Sequence, residues 1–340
     1  MKDLRHSSAS QLLDLTRFLA AQAVVIGHAI SFFGVAPWLQ PPHAPYMQNV
    51  AVQVFFVLSG FLIAYTLNRT ASFTEYAVDR FARIYSAYLP CLFVVSALLL
   101  IAGEDVSLRT FVGNLFMFQN WTFPLRGALK VPSLDGPLWT IAIEWHIYFF
   151  VGAVFFARKS TKLWGAAAVF AFVPIAFLFS DGRLGVGRGI FSLWLMGFAA
   201  FYLPHWRGSF VAAAAVFAVY LYLLTPGHEY QRSLYVLLAI AFYAFVARAM
   251  SIDSTNTAWG AAIRFAAAYS FTLYLVHYPL LRVWREVSWG WWGTLSGIAA
   301  ANVLAIAIAW FTEMRHRELA RSIKRRLAVA TDGRASRSSR

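Results

Sequence analysis

Charged residues are scarce in this sequence. Asp, Glu, Lys and Arg make up 13 % of the 340 residues, whereas soluble domains contain about 25 %. Cysteine occurs once, as Cys91, which excludes an internal disulfide and a cysteine-rich metal site. The sequence also lacks a phosphate-binding glycine loop and the HExxH, GxSxG and paired CxxC motifs. No metal is therefore predicted, and any chemistry depends on His, Glu and Arg.

Hydrophobic residues make up 60 % of the chain and occur in long runs. A helix needs about 20 mostly apolar residues to cross a bilayer, and runs of this order recur along the chain. The sequence therefore predicts an all-α fold, a polytopic membrane helix bundle with about ten transmembrane helices. The predicted spans are 12–33, 50–67, 84–102, 138–157, 164–180, 187–203, 209–225, 231–250, 265–281 and 292–312.

These spans divide the chain into three predicted parts. Residues 1–11 form a cytoplasmic N-terminus, 12–312 the transmembrane domain, and 313–340 a basic cytoplasmic tail, disordered after Arg326. With the N-terminus inside, 20 of the 29 Lys and Arg fall on the cytoplasmic side and 8 in outer loops, as the positive-inside rule favours. Nine of them lie in the tail. A basic tail beside a membrane indicates contact with anionic membrane lipid rather than with nucleic acid.

The first span carries charge, although a charged side chain at mid-bilayer costs about 2.5–3.5 kcal/mol on insertion scales. Arg17 and His28 are eleven positions apart, so they share a helix face about 16 Å apart along the axis. Asp14 precedes Arg17 by three residues and is placed to pair with it. This shared helix face suits a long anionic substrate, which would meet the cation of Arg17 first and the titratable base His28 deeper in the membrane. The alternatives are an Arg17 that snorkels to headgroups and a His28 that makes a structural hydrogen bond.

Two short motifs follow the first span. Ser59-Gly60 in the second span is a small-residue notch, which either borders a site or lets helices approach closely. Arg80 and Arg83 lie in what we predict to be the next inner loop. Their spacing forms either a phosphate-binding fork or ordinary positive-inside charge.

Later segments add three candidate residues. Glu144 in the fourth span could orient His28, bind an acceptor hydroxyl or pair with an arginine. His277 in the ninth span is either functional or a helix-end residue beside interface aromatics. The longest outer loop, 103–137, contains Asn120 and several aromatics. We expect this loop to fold back onto the membrane domain, where its aromatic residues could stack on a sugar.

Five segments in a fixed order carry a resemblance to a known family. They are LDLTRFLAAQAVVIGH, VQVFFVLSGFLI, RFARIYSAYLP, GPLWTIAIEWHIYF and YSFTLYLVHYPLL. Together they resemble the acyltransferase-3 family, integral membrane proteins that O-acylate glycans and other acceptors. The resemblance covers roughly residues 11 to 315.

The resemblance implies roles for individual residues. His28 falls on the family's catalytic histidine and Arg17 on its partner in the first helix, while Arg80 and Arg83 fall on the pair linked to cytoplasmic acyl-CoA. Ser31 stands where some members have an Asp, so a His–Asp dyad within that helix is not available. The motif positions around the pore, where the acceptor is expected, are Ser59, Gly60, Trp139, Glu144 and His277.

The implied activity is transfer of an acyl group, expected to be acetyl, from cytoplasmic acyl-CoA to a hydroxyl of a glycan or lipid-linked sugar in a bacterial inner membrane. His28 is the expected base, with Glu144 as a second catalytic residue, and an acyl-histidine intermediate stays open. Acyl-CoA is a co-substrate, and no permanently bound cofactor is expected. Ser59, Trp139 or a backbone N–H could stabilise the oxyanion.

Two other functions remain open from the residues alone. A proton-coupled sugar or lipid exporter could use His28, Glu144 and His277 as a proton relay. The absence of detectable inverted repeats disfavours this alternative. A non-catalytic membrane scaffold would leave the buried ionisable residues unexplained.

Overall fold

The computed structural model describes residues 8–119, 134, 136–179, 187–204, 208–252 and 259–338. These residues form helices and no strand, which confirms the predicted all-α fold. The α-helices are α1 (Ser8–Phe33), α2 (Met47–Leu67), α3 (Phe73–Ile101), α4 (Leu108–Leu115), α5 (Leu138–Ala157), α6 (Leu163–Phe179), α7 (Ile190–Ala200), α8 (Phe210–Leu223), α9 (Tyr235–Ser251), α10 (Gly260–Ala268), α11 (Ser270–Arg285), α12 (Gly290–Phe311) and α13 (His316–Ser338).

The hydropathy of these helices is that of a membrane protein. Six helical segments are long and apolar enough to cross a bilayer, and α6, α7 and α8 are shorter apolar helices. With α10 and α11, which together take the place of the ninth predicted span, they account for the predicted count of about ten. The six long segments are Ala9–Phe33, Met47–Leu67, Phe73–Ile101, Leu138–Ala157, Arg232–Ser251 and Gly290–Val329.

The third helix begins eleven residues earlier than the predicted span, so the prediction that Arg80 and Arg83 lie in a loop is wrong. The Ser72 side chain accepts a hydrogen bond from the backbone N–H of Glu75, and the Glu75 carboxylate accepts one from the N–H of Ala71. This arrangement satisfies two backbone donors at the start of a helix and stabilises it there. Both arginines therefore lie within the first eleven residues of α3.

Three other segments differ from the prediction. The ninth span is broken at Tyr269 into α10 and α11. The outer loop contains α4, started by Ser107, whose side chain accepts a hydrogen bond from the N–H of Thr110. Beyond residue 326, where we predicted disorder, α13 continues to Ser338.

Two contacts show how these segments return to the bundle. The Tyr88 hydroxyl of α3 donates to the carbonyl of Asn114 at 2.8 Å, so α4 packs against α3, while the fold of the rest of the 103–137 loop stays a prediction. In α13, Lys324 pairs with Asp79 of α3 at 2.8 Å. The bounds of the three predicted parts, and contact of the tail with lipid, stay predictions.

Helices α1 and α11 run side by side in the same direction. Phe18 of α1 packs against Tyr269 at the start of α11, and His28 packs against His277 further along both helices. Helix α12 returns antiparallel, since its first turns contact Phe33 and Asn302 lies beside Gln22. We call the two ends of this bundle the Arg17 end and the His28 end.

Helices α2 and α7 approach closely at two glycines. A Cβ built at Gly60 would overlap the carbonyl oxygen of Trp194, and one built at Gly197 would overlap the carbonyl oxygen of Val57. The small-residue notch in the second span therefore permits close helix packing at Gly60. The neighbouring Ser59 is not part of this contact between backbones, because its hydroxyl bonds to polar side chains of α5 and α7.

Candidate active site

A cavity of about 180 Å³ opens between α1, α2, α3, α5 and α11. Three arginines, one carboxylate and several hydroxyl groups contribute its polar lining, and the remaining lining is apolar. The structure thus brings together five predicted site residues that lie far apart in the sequence. They are Arg17, Ser59, Arg80, Arg83 and Glu144.

The three arginines of the cavity differ in what they bind. Arg17 pairs with Asp14 at 3.1 Å, as the sequence predicted, and Arg83 pairs with Glu313 at 2.9 Å. Arg80 has no carboxylate partner among the described residues; its guanidinium lies 6.0 Å from the ring centre of Tyr76, and its buried Nε has no hydrogen-bond partner there. Of the three arginines in the cavity, Arg80 is therefore the one best placed to bind an anionic ligand.

Glu313 is a fully buried carboxylate that sequence reasoning missed. Besides its ion pair with Arg83, it accepts hydrogen bonds from the backbone N–H and the hydroxyl of Thr272, at 2.8 and 2.9 Å. Thr272 lies in the first turn of α11, so a carboxylate there also suits the helix dipole. The sequence did contain a signal for Glu313, because it is the single acid that directly follows the last apolar run, at the start of a basic segment.

Ser59, Glu144 and Tyr148 form a compact polar cluster on the cavity wall. Ser59 donates to a Glu144 oxygen at 2.6 Å, and the Tyr148 hydroxyl donates to the same oxygen. Trp194 donates its indole N–H to Ser59 at 3.2 Å. Since the one proton of Ser59 is committed to the carboxylate, Ser59 does not offer a free donor to an oxyanion. Tyr148 was missed, although its i, i+4 spacing from Glu144 places it on the same face.

His28 does not line this cavity. Its ring lies against α11, with ring-centre distances of 5.3 Å to His277 and 5.0 Å to Tyr278. The hydrogen bonds of Glu144 go to Ser59 and Tyr148, so in this structure Glu144 does not orient His28. The predicted site is therefore divided into an arginine-lined cavity and a histidine pair.

Tyr274 lies between the cavity and the histidine pair and contacts two other side chains of the cavity lining. Tyr274 lines the cavity and also lies 5.9 Å, centre to centre, from the ring of His277. It exchanges a 2.7 Å hydrogen bond with the hydroxyl of Thr140, and its ring packs against Phe55 at 5.9 Å. We call Phe55, Thr140 and Tyr274 the dividing layer.

Two predicted residues are not part of this arrangement. Trp139 is buried, packs against Tyr230 at 6.3 Å between ring centres and covers Gly187, away from the cavity lining. Asn120 lies outside the described residues. No group of three or more potential metal ligands occurs among the residues that the structure describes.

Comparisons with known proteins agree with the sequence motifs. A family model described as "Acyltransferase domain" matches residues 11–314. A protein named "O-acetyl transferase" from Shigella phage Sf6 is 25 % identical over 304 residues, which cover 81 % of this chain and 85 % of the relative. "Acyltransferase MdmB" from Streptomyces mycarofaciens is 24 % identical over 317 residues, 78 % of each chain. "Protein 2 in picA locus" from Rhizobium radiobacter is 32 % identical over 179 residues, 46 % of this chain and 83 % of the relative. No solved structure matches the chain.

Proposed function

Because the chain belongs to the acyltransferase-3 family and is an acyltransferase of the membrane, we propose that it transfers an acyl group, expected to be acetyl, from acyl-CoA to a hydroxyl of a glycan or glycan-like acceptor. The name of the phage relative, an O-acetyl transferase, supports the acetyl group. The observation that carries the proposal is the cavity between membrane helices, with Arg80 unpaired among the described residues and Glu144 on its wall.

Acyl-CoA would bind with its phosphates near Arg80 and its pantetheine arm in the apolar part of the cavity. A guanidinium binds phosphate through charge-assisted hydrogen bonds. Arg17 is partly committed to Asp14, and Arg83 is committed to Glu313. We therefore assign the main phosphate contact to Arg80 and secondary roles to the other two arginines.

The transfer itself would take place beside His28. The imidazole removes the proton of the acceptor hydroxyl as the oxygen attacks the thioester carbonyl, and the C–S bond then breaks. The coenzyme leaves as a thiolate and takes the proton from the imidazolium, so no oxidant or reductant is needed. To reach His28, the thioester must pass the dividing layer, which we propose opens when the donor binds.

The direction of entry follows from where the charges lie. We propose that the Arg17 end faces the cytoplasm of a bacterial inner membrane, where acyl-CoA is available, with both termini on that side. The acceptor would approach the His28 end, together with the 103–137 loop. The exporter hypothesis gains no support from the comparisons, since two of the three relatives carry transferase names and none is named a transporter.

Binding and turnover test this proposal separately. Purified protein titrated with CoA in a calorimeter reports donor binding. CoA release from acetyl-CoA in membrane vesicles that contain the host glycolipids reports transfer. His28→Ala should retain CoA binding and lose about 10²–10⁴-fold in turnover, the usual contribution of a general base. Arg80→Ala should weaken CoA binding about 10- to 100-fold, because a hydrogen bond to a charged group contributes about 1.5–3 kcal/mol.

Arg158→Ala is the matched control for Arg80. Arg158 is a cation at the end of α5 that packs on Phe155 and is not part of the cavity lining. It should bind CoA like the wild type. Wild-type protein that does not bind CoA, or a His28→Ala variant with normal turnover, would contradict the proposal.

A further inference from the structure

His277 carries a buried nitrogen without a partner. Its side chain is 0 % exposed, and among the described residues its Nε2 makes no hydrogen bond. Its Nδ1 lies 3.1 Å from the carbonyl oxygen of Leu273 and 2.9 Å from that of Tyr274. Since a carbonyl only accepts, Nδ1 carries the proton and Nε2 has the free lone pair. Leaving such an acceptor unsatisfied costs about 1–3 kcal/mol. A buried nitrogen kept at this cost is a candidate for a functional role.

The ring that faces His277 is that of His28. The two ring centres are 5.3 Å apart and the ring planes are tilted by 34°. At this ring-centre distance, rotation of the His28 ring, which is only partly buried, can place one of its nitrogens within hydrogen-bond range of His277 Nε2. Phe32 and Tyr278 pack against His28 at 6.3 and 5.0 Å and limit other orientations.

The residues that usually hold a catalytic histidine do not do so here. A carboxylate one helical turn after His28 is replaced by Ser31, whose hydroxyl bonds to the carbonyl of Gly27 and to Gln40. Glu144 accepts from Ser59 and Tyr148 on the other side of the dividing layer. The free lone pair of His277, on a ring centred 5.3 Å from that of His28, is thus available as the acceptor for its N–H.

We propose that His277 is a positioning residue that orients His28 by accepting a hydrogen bond from its ring N–H. The inference rests on the proposed function. A neutral imidazole has one N–H and one lone pair. If the N–H points to His277, the lone pair of His28 is on the opposite nitrogen, where it can take the acceptor proton. The imidazolium that results keeps the hydrogen bond until it passes its proton to the coenzyme thiolate.

A neutral histidine suits this place better than a carboxylate. The pair lies among apolar membrane helices, where an isolated ionised carboxylate would carry a large desolvation cost. Neutral His277 stabilises the transient charge of His28 through its lone pair and needs no counter-ion between turnovers. Its own tautomer is fixed by the backbone of α11, so the direction of the hydrogen bond is fixed as well.

Three variants test the inference. His277→Phe removes the acceptor and keeps an aromatic ring of similar shape. We expect kcat for acetyl transfer from acetyl-CoA to fall about 10²-fold, the effect of misplacing a catalytic group by about 1 Å, with KM for acetyl-CoA unchanged. The thermal unfolding midpoint should not fall, because an unsatisfied buried nitrogen is removed. His277→Gln offers a side-chain carbonyl as acceptor and should recover most of kcat.

His146→Phe is the matched control. His146 is also buried, and its Nδ1 also donates to the carbonyl four residues earlier, that of Ala142, at 2.7 Å. Its ring packs against Phe170 at 6.0 Å instead of against His28. This variant should keep the wild-type kcat.

The outcomes separate the inference from the proposed function. If His28→Ala is inactive while His277→Phe keeps its kcat, the positioning role is wrong and the proposed function stands. If His28→Ala is fully active, the proposed function fails, and the positioning role fails with it. A His277→Phe variant that loses kcat together with its thermal stability, and is not rescued by His277→Gln, would show a structural role and overturn the inference.

Discussion

Replacing Arg83 by methionine would leave the Glu313 carboxylate buried beside an apolar side chain. Glu313 is 0 % exposed, whereas the Arg83 side chain is 23 % exposed, so the carboxylate is the partner that depends on the pair. Two hydrogen bonds from Thr272 would remain, but they do not neutralise the charge. Breaking a buried pair from one side costs about 3–5 kcal/mol, and we expect Arg83→Met to lose this order of stability.

The matched variants follow from the same geometry. Arg80→Met removes a cation one turn away that has no carboxylate partner in the described part of the chain, so it should unfold close to the wild-type temperature. Glu313→Gln keeps an acceptor for Thr272 and leaves an arginine that can reach solvent, so it should cost less than Arg83→Met. The double variant Arg83→Met with Glu313→Gln has no unpaired charge and should recover most of the lost stability.

The assay is the thermal unfolding midpoint of the four purified variants, followed by tryptophan fluorescence in one detergent. CoA binding is measured on the same samples. We expect Arg83→Met to lower the unfolding midpoint, and Arg80→Met to lower the affinity for CoA while its midpoint stays close to that of the wild type. Equal midpoints for Arg83→Met and Arg80→Met would refute the assignment of Arg83 to the ion pair, and so would a double variant as unstable as Arg83→Met.

Two further variants test the helix packing and the polar cluster. Gly197→Ala should sharply reduce the yield of folded protein on size-exclusion chromatography, because its Cβ would overlap the Val57 carbonyl; Gly165→Ala, which points into open space, should not. Ser59→Ala removes a donor from Glu144 and should cost about 1–3 kcal/mol, measured as a lower unfolding midpoint with CoA affinity retained. A normal yield for Gly197→Ala, or an unchanged midpoint for Ser59→Ala, would contradict these assignments.

The bounds of a membrane helix could be predicted well where the apolar run in the sequence begins and ends at the same residues as the helix. The fourth predicted span has the same bounds as α5, because Pro137 and Arg158 flank an uninterrupted apolar run. Helix α3 could not be placed in this way, since hydropathy reports where a helix enters the bilayer and not where it begins. Its start depends on the local signal Ser72 to Glu75, which is present in the sequence and independent of hydrophobicity.

The family motifs placed five residues of the cavity in one site, but individual contacts could be predicted only within one helix. Helical periodicity placed Asp14 beside Arg17, and the ion pair at 3.1 Å confirms it. Arg80 and Arg83 looked equivalent because their spacing says nothing about distant partners. The structure distinguishes them through Glu313, a residue on another helical segment that only the packing of α3, α11 and α12 brings near.

The division of the site has a physical explanation within the proposed function. A donor on one side of the membrane and an acceptor on the other require a passage between them, yet a passage that stayed open would also admit water and ions. Phe55, Thr140 and Tyr274, which we propose close this passage, contact one another through two rings and one hydrogen-bonded hydroxyl pair. Because the ring contact and the hydroxyl hydrogen bond join side chains and not helix backbones, we propose that the binding energy of the coenzyme phosphates at Arg80 opens the layer without unfolding a helix. In this mechanism the arginines of the cavity bind the coenzyme, and His28 on the other side of the dividing layer carries out the transfer.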